Sequence, residues 1–273
     1  GGSGVHIGIK KALDRNIVTV TGTIAINEKW SNSVTVTHPA DVYIAMLKER
    51  LLKKGVVVTG TARAEHPDPS AIGSIGLVSG NPFHLQIESP PFSEIAAKTL
   101  KPSQNMYTET ILWTLGEEIG RKNGAIGDSA ALGIGIVKGF LHQINLAPDA
   151  IVMYDGSGMS RHDLVTPDAV VRLYMYMAKQ SPNAVAWRDA LAVGGVDGTL
   201  RNRFKGTRAE GNFHGKTGTL DQVSALSGYV TTASGEQLIV SVIVNNVPDI
   251  TDRLRIIDGI VVQLANYTGR VDP

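Results

Sequence analysis

The sequence contains no cysteine. That excludes thiol nucleophiles, disulfide frameworks, thiolate zinc sites and iron–sulfur ligation together. An excess of charge of one sign is also lacking: 26 Lys and Arg stand against 25 Asp and Glu, a formal net charge of +1. No overall basic field advertises nucleic acid as a partner, and there is no acidic tail. Long hydrophobic runs are missing too. Stretches such as Leu238–Val244 are far too short to cross a bilayer, so no transmembrane segment is predicted. The seven histidines form no H-x-x-x-H pair, which leaves a metal site without support. Aromatic residues are only 5%, yet 42% of the 273 residues are hydrophobic. That is enough for a core in one large domain or two of ordinary size.

Breakers and periodicity divide what is present. In the first third, Ile17–Val20, Val34–Thr37 and Val56–Thr59 are β-branched runs bounded by turn residues and predict strands. Between the last two, Ala40–Lys54 predicts a helix, with Pro39 at its start, Gly55 at its stop, and Met46, Leu47, Leu51 and Leu52 as its apolar positions. Glu65-His66-Pro67-Asp68-Pro69 and the Gly/Ser-rich stretch through Gly80-Asn81-Pro82 mark a boundary. Beyond it, helices are expected over Phe92–Leu100, Asn105–Lys122, Ser129–Ile144, Thr166–Lys179 and Ile250–Tyr267. Thr166-Pro167-Asp168 is a strong helix start: a capping hydroxyl, proline in the first turn and an acid beside it. Three β-type runs, Phe213–Leu220, Val223–Thr232 and Gln237–Asn245, precede the last helix, the latter two joined as a hairpin through Ala233-Ser234-Gly235-Glu236.

Among these elements, Lys216-Thr217-Gly218 is the sharpest chemical signal. An edge strand that offers an ammonium, a hydroxyl and glycines can hold an extended peptide and its terminal carboxylate. Ser103-Gln104-Asn105 is an S-x-N triplet ahead of a helix. Ser103 serves equally well as a helix cap on this evidence, and a second triplet, Ser181-Pro182-Asn183, reads as a turn. Other patterns have structural readings. Gly133-Ile134-Gly135 sits in a helical pattern rather than after a strand, so its small residues are read as helix packing. Ser157 lacks the outer glycine spacing of a nucleophile elbow and is read as a turn; His214 is read as an accommodated strand histidine.

Taken in order, Lys101–Glu109, Asp155-Gly156-Ser157-Gly158-Met159-Ser160-Arg161, Gly195-Val196-Asp197-Gly198-Thr199-Leu200 with Arg203, and Gly215–Leu220 form a set of motifs. This set resembles the D-alanyl-D-alanine carboxypeptidase/endopeptidase family of penicillin-binding proteins whose catalytic domain carries large inserts. Thr21–Ile24 and Gly55–Gly60 resemble its accessory insert, so the similarity runs over roughly residues 15–268. The resemblance implies an α/β (α+β) fold, a penicillin-binding-protein/β-lactamase-like antiparallel sheet flanked by helices. Residues 5–75 would be part of an inserted α+β domain and residues 76–273 part of the serine peptidase domain. It implies hydrolysis of peptidoglycan stem peptides after D-alanine through an acyl-enzyme, with no cofactor or metal, β-lactams as inhibitors and an extracytoplasmic location. By the same resemblance Ser103 passes a proton toward the leaving amine, Asn105 holds the substrate amide, and Lys216 supplies positive potential. Thr217, Gly218 and Thr219 align the peptide.

One motif of that family is missing. No Ser in residues 1–273 has Lys three positions later, so the S-x-x-K that carries the acyl-accepting Ser is absent. In the family it precedes the inserts, and the expectation is that it lies upstream of residue 1. Gln104 is a milder departure, Asp being commoner there. Two further readings stay open: a non-catalytic peptidoglycan-binding fragment, and a β-lactamase or esterase relative on the same fold.

Overall fold

The structure, a computed structural model, describes residues 5–63 and 88–270. The chain divides into two compact units, Gly1–Leu85 and Gln86–Pro273. The boundary segments expected at 65–69 and 80–82, and the expected domain limit at residue 75, lie outside the described residues.

In the first unit, strand β1 (His6–Lys11) pairs antiparallel with β2 (Val18–Thr23), Ile9 opposite Val20. Helix α1 (Pro39–Lys53) starts on its proline and stops before Gly55, whose φ of +80° is open to glycine. Two sequence expectations are corrected here. Val34–Thr37 and Val56–Thr59 are not strands, and β1 is a strand that propensity did not single out. A β-branched run becomes a strand only where another strand pairs with it, as β1 does for the wholly exposed β2; among the described residues no strand pairs with these two runs, and Val34, Val36, Val56 and Val57 are left exposed. The apolar positions of α1 are likewise uncovered: Met46, Leu47 and Leu52 are exposed and the helix buries no residue.

The second unit is built on a four-stranded antiparallel sheet in the order β5 (Ala192–Val193), β6 (His214–Leu220), β7 (Val223–Thr231) and β8 (Gln237–Asn245). The alternation of β7 distributes two cores. Leu226 and Val230 pack with Ile257, Val261 and Ala265 of the closing helix α7 (Ile250–Asn266). Tyr229, on the other face, packs with Tyr174 of α5 (Pro167–Lys179) and with Leu191, which follows α6 (Ala184–Ala190). Buried Arg253 of α7 donates through Nε to Ser224 Oγ at 2.9 Å and through Nη1 to the carbonyls of Val247 and Pro248, which tie the start of α7 to β7 and to the turn before it. As expected, Thr166 caps α5, its hydroxyl accepting from Ala169 N at 3.1 Å.

Helices α2 (Phe92–Leu100), α3 (Asn105–Leu115) and α4 (Ser129–Gln143) complete the unit, with short strands β3 (Ile151–Val152) and β4 (Leu164–Val165) paired together. The single helix expected over Asn105–Lys122 is corrected: α3 gives way at Gly116 to a π-helical turn, Gly116–Arg121. The reason is close approach. A Cβ on Gly116 would overlap the Ser129 carbonyl, and one on Gly133 would overlap the Leu112 carbonyl. Gly133 therefore serves packing against α3, as its helical setting implied, whereas Gly135 and Gly139 have open space around them and do not. Helix α6, seven residues long and beginning directly after the Ser181-Pro182-Asn183 turn, was not expected from the sequence.

Candidate active site

The pairing of β6 with β7 sets which way its side chains point. Lys216 lies opposite Ser227 and His214 opposite Tyr229, so both share the face that Tyr174 covers, its Oη donating to the Ser227 carbonyl at 3.1 Å. Helix α2 ends on the same face: Leu100 packs against the Tyr174, Leu191 and Tyr229 cluster. Ser103 follows in a left-handed conformation, φ +59°, with Gln104 N donating back to the Thr99 carbonyl at 2.9 Å. This is the helix-stop position where glycine is usual, and a side chain there costs on the order of 1–3 kcal/mol. Here the serine hydroxyl is used: Lys216 Nζ donates to Ser103 Oγ at 2.6 Å and to the Thr217 carbonyl at 2.7 Å.

The capping alternative for Ser103 is thereby corrected. The residue that precedes α3 is Gln104, it makes no side-chain cap, and the Ser103 hydroxyl faces Lys216. Asn105 is the first residue of α3, with its side chain exposed. Burial pushes the Lys216 ammonium down to about 8, so it sits near neutrality of charge in mildly basic water.

Strand β5 pairs only with His214 and Gly215. Among the described residues, the edge of β6 from Lys216 to Leu220 therefore carries no neighbouring strand. Thr217 stands on this edge and donates through Oγ1 to Thr199 Oγ1 at 2.9 Å. Gly218 and Thr219 continue it into a cleft of ≈ 690 Å³, walled opposite by Asp155, Gly158 and Arg161. Ser103 and Lys216 lie outside the cleft lining, beside its β6 wall.

The Asp155–Arg161 segment is a turn folded around one carboxylate. Asp155 accepts from Gly158 N at 2.5 Å and Ser160 N at 2.8 Å, while Gly156 N and Ser157 N donate to Glu109 of α3 at 2.9 and 3.0 Å. Burial works against the Asp155 charge, but the Gly158 and Ser160 amides together with Ser157 outweigh it and hold its pKa below the ordinary value. Ser157 is thus part of a turn. Arg161 reaches the Asp221 carbonyl at 3.1 Å and ties that turn to the end of β6. His214 has a buried Nδ1 without a partner among the described residues. Burial, and then the charges of Arg188 and Lys101, lower its pKa.

Three residues that the sequence motifs contained but to which no role was given belong to this arrangement: Lys101, Asp197 and Thr199. Lys101 and Asp197 pair at 2.6 Å, and Thr199 N donates to the Lys101 carbonyl at 2.9 Å. Opposite charges in two separate motifs were a usable signal, but 96 residues separate them. Among the described residues no group of three or more His, Asp or Glu is arranged to hold a metal ion. Chemically, the site combines an open strand edge, a weakly basic ammonium, and a serine hydroxyl in hydrogen bond with it. Those parts suit capture of an extended peptide and proton transfer at its backbone.

The chain is similar to several known proteins. The chain is 33% identical over 283 residues to a D-alanyl-D-alanine carboxypeptidase of Actinomadura sp. (strain R39), covering 100% of this chain and 49% of that protein. It is 28% identical over 228 residues to D-alanyl-D-alanine carboxypeptidase DacB of Haemophilus influenzae, covering 82% of this chain and 44% of that one. A crystal structure of penicillin binding protein 4 (dacB) from Haemophilus influenzae, complexed with a novel β-lactam, superposes with a TM-score of 0.69 at 22% identity, over 96% of this chain and 60% of that one. At that identity the likeness establishes the fold, a penicillin-binding-protein-like antiparallel sheet flanked by helices. The chain spans about half the length of the curated relatives it matches. A sequence model of one family matches residues 2–267, nearly the whole chain, and takes in every motif on which the site was assembled. The chain belongs to the D-Ala-D-Ala carboxypeptidase 3 (S13) family.

Proposed function

We propose that this chain forms one wall of the catalytic cleft of a serine D-alanyl-D-alanine carboxypeptidase/endopeptidase that acts on peptidoglycan stem peptides outside the cytoplasmic membrane. The observation that carries the reading is the 2.6 Å contact between Lys216 Nζ and Ser103 Oγ, made across 113 residues beside an open strand edge. The stem peptide adds to the edge of β6 as an extended strand, its terminal carboxylate drawn by Lys216 and Thr217, with Gly218 and Thr219 giving its backbone room. Asn105 holds the substrate amide. Ser103, in hydrogen bond with Lys216, passes a proton to the leaving amine as the acyl-enzyme forms. No Ser in residues 1–273 has Lys three positions on, so the acyl acceptor is assigned to polypeptide outside these residues. Residues 5–75 are read as part of an inserted domain, and 76–273 as part of the peptidase domain. β-Lactams are the expected inhibitors of the whole protein. The extracytoplasmic location follows from the substrate; among the described residues no helix is long and apolar enough to cross a membrane.

Intact-mass spectrometry with a labelled penicillin tests this. Residues 1–273 alone should gain no adduct, and the full-length protein should gain one, on a Ser followed by x-x-Lys. An adduct on any Ser of residues 1–273 would show that the nucleophile is misplaced. No adduct and no D-alanine release by the full-length protein would favour the non-catalytic, peptide-binding reading, which the missing S-x-x-K supports.

A further inference from the structure

We infer that the Lys101–Asp197 ion pair is a positioning clamp, holding the loop that carries Ser103 against the segment that leads to β6 and so setting the contact between Ser103 and Lys216. The pair differs from most other ion pairs among the described residues. Those on helix faces join residues three or four apart and stand well exposed, whereas Lys101 and Asp197 side chains are 26% and 36% exposed and join different motifs. Asp197 uses both oxygens: Oδ2 takes the Lys101 ammonium at 2.6 Å, and Oδ1 takes Val193 N at 2.8 Å. Burial opposes its charge, and the Lys101 and Val193 bonds outweigh that opposition, leaving its pKa below the ordinary value.

The backbones are joined at the same place. Thr199 N donates to the Lys101 carbonyl at 2.9 Å, and Gly198, at φ +55°, lies so close that a Cβ would overlap that carbonyl. Thr199 in turn accepts from Thr217 Oγ1 at 2.9 Å. The result is a closed circuit. Ser103 sits two residues from Lys101; Lys101 binds Asp197; Thr199, two residues on, braces Thr217; and Lys216, beside Thr217, returns to Ser103. Cutting the circuit at the ion pair frees the left-handed Ser103 turn, whose conformation is itself strained, to relax away from Lys216. Neither charge of the pair touches the Ser103–Lys216 contact directly, so the pair acts by placement.

The consequence for catalysis rests on the function proposed above; the placement itself does not. Asp197→Asn is the sharper variant, since its Oδ1 still accepts from Val193 N while the ion pair is lost. In the full-length protein, Asp197→Asn and Lys101→Met should each slow acylation by a labelled penicillin about 10- to 100-fold. The Lys216 ammonium, followed by carbon-13 NMR and assigned with Lys216→Arg, should titrate closer to 10.5 than in the wild type, because a displaced loop lets water in. The circular dichroism spectrum should be retained, and Lys101→Arg, which keeps the cation facing Asp197 and leaves Val193 N its acceptor, should lose no more than about a third of what Lys101→Met loses on a logarithmic scale. The inference is overturned if single variants change neither acylation nor the Lys216 titration. It is overturned equally if acylation is lost only in step with the folded spectrum, or if Lys101→Arg does no better than Lys101→Met. A wild-type protein that penicillin does not acylate would sink the proposed function, and the Lys216 titration would still judge the clamp.

Discussion

Lys216 is held against the stability of the fold, and Lys216→Met measures by how much. The ammonium loses water on the sheet face and, among the described residues, has Ser103 Oγ and the Thr217 carbonyl as acceptors; burial brings its pKa from 10.5 to about 8. That fall corresponds to roughly 3 kcal/mol against the charged form in the folded state. Below pH 8 the ammonium is charged whether the chain is folded or not, and the whole penalty is present. Between about 8 and 10.5 the unfolded chain binds the proton and the folded one has released it, so stability rises with pH over that window. Methionine keeps the length and removes the charge. At pH 7 Lys216→Met should therefore stabilise the protein by about 1–3 kcal/mol, after allowing for the lost hydrogen bonds; at pH 10.5 it should gain little or lose slightly. Urea denaturation at the two pH values, followed by circular dichroism, gives both numbers. Equal destabilisation at both, or a Lys216 ammonium that titrates near 10.5, would refute the reasoning.

Three other expectations follow from particular contacts. Ser103→Gly keeps the left-handed turn and removes the hydroxyl, so stability should change by no more than about 1 kcal/mol while penicillin acylation of the full-length protein falls roughly 10²- to 10⁴-fold. Gly133→Ala drives a methyl into the Leu112 carbonyl and should cost about 1–3 kcal/mol, whereas Gly135→Ala, in the same helix with open space around it, should gain about 0.5–1 kcal/mol; thermal melts of the pair decide. Tyr229→Phe leaves the Tyr174 carbonyl without its 2.7 Å donor and Trp187 Nε1 without its 3.1 Å acceptor, and denaturant titration should show a loss of about 1–3 kcal/mol.

What the sequence determined by itself was whatever near neighbours decide. The hairpin of β7 and β8, the start of α5 at Thr166-Pro167, the extent of α2 and the strand that carries Lys216-Thr217-Gly218 were all legible from period, caps and breakers. The ordered motifs identified the family as well. Where local propensity met no partner it misled: Val34–Thr37 and Val56–Thr59 have the composition of strands and no sheet to join. Tertiary structure alone decided the π-helical turn, forced by the approach of Gly116 and Gly133 to neighbouring backbone, and the left-handed turn at Ser103. It alone also brought Lys101 to Asp197 and Lys216 to Ser103, across 96 and 113 residues. No local rule reaches that far. Those distances follow from how Leu100 seats α2 on the Tyr174–Tyr229 face and from the register of β6 on β7, which are properties of the packed core.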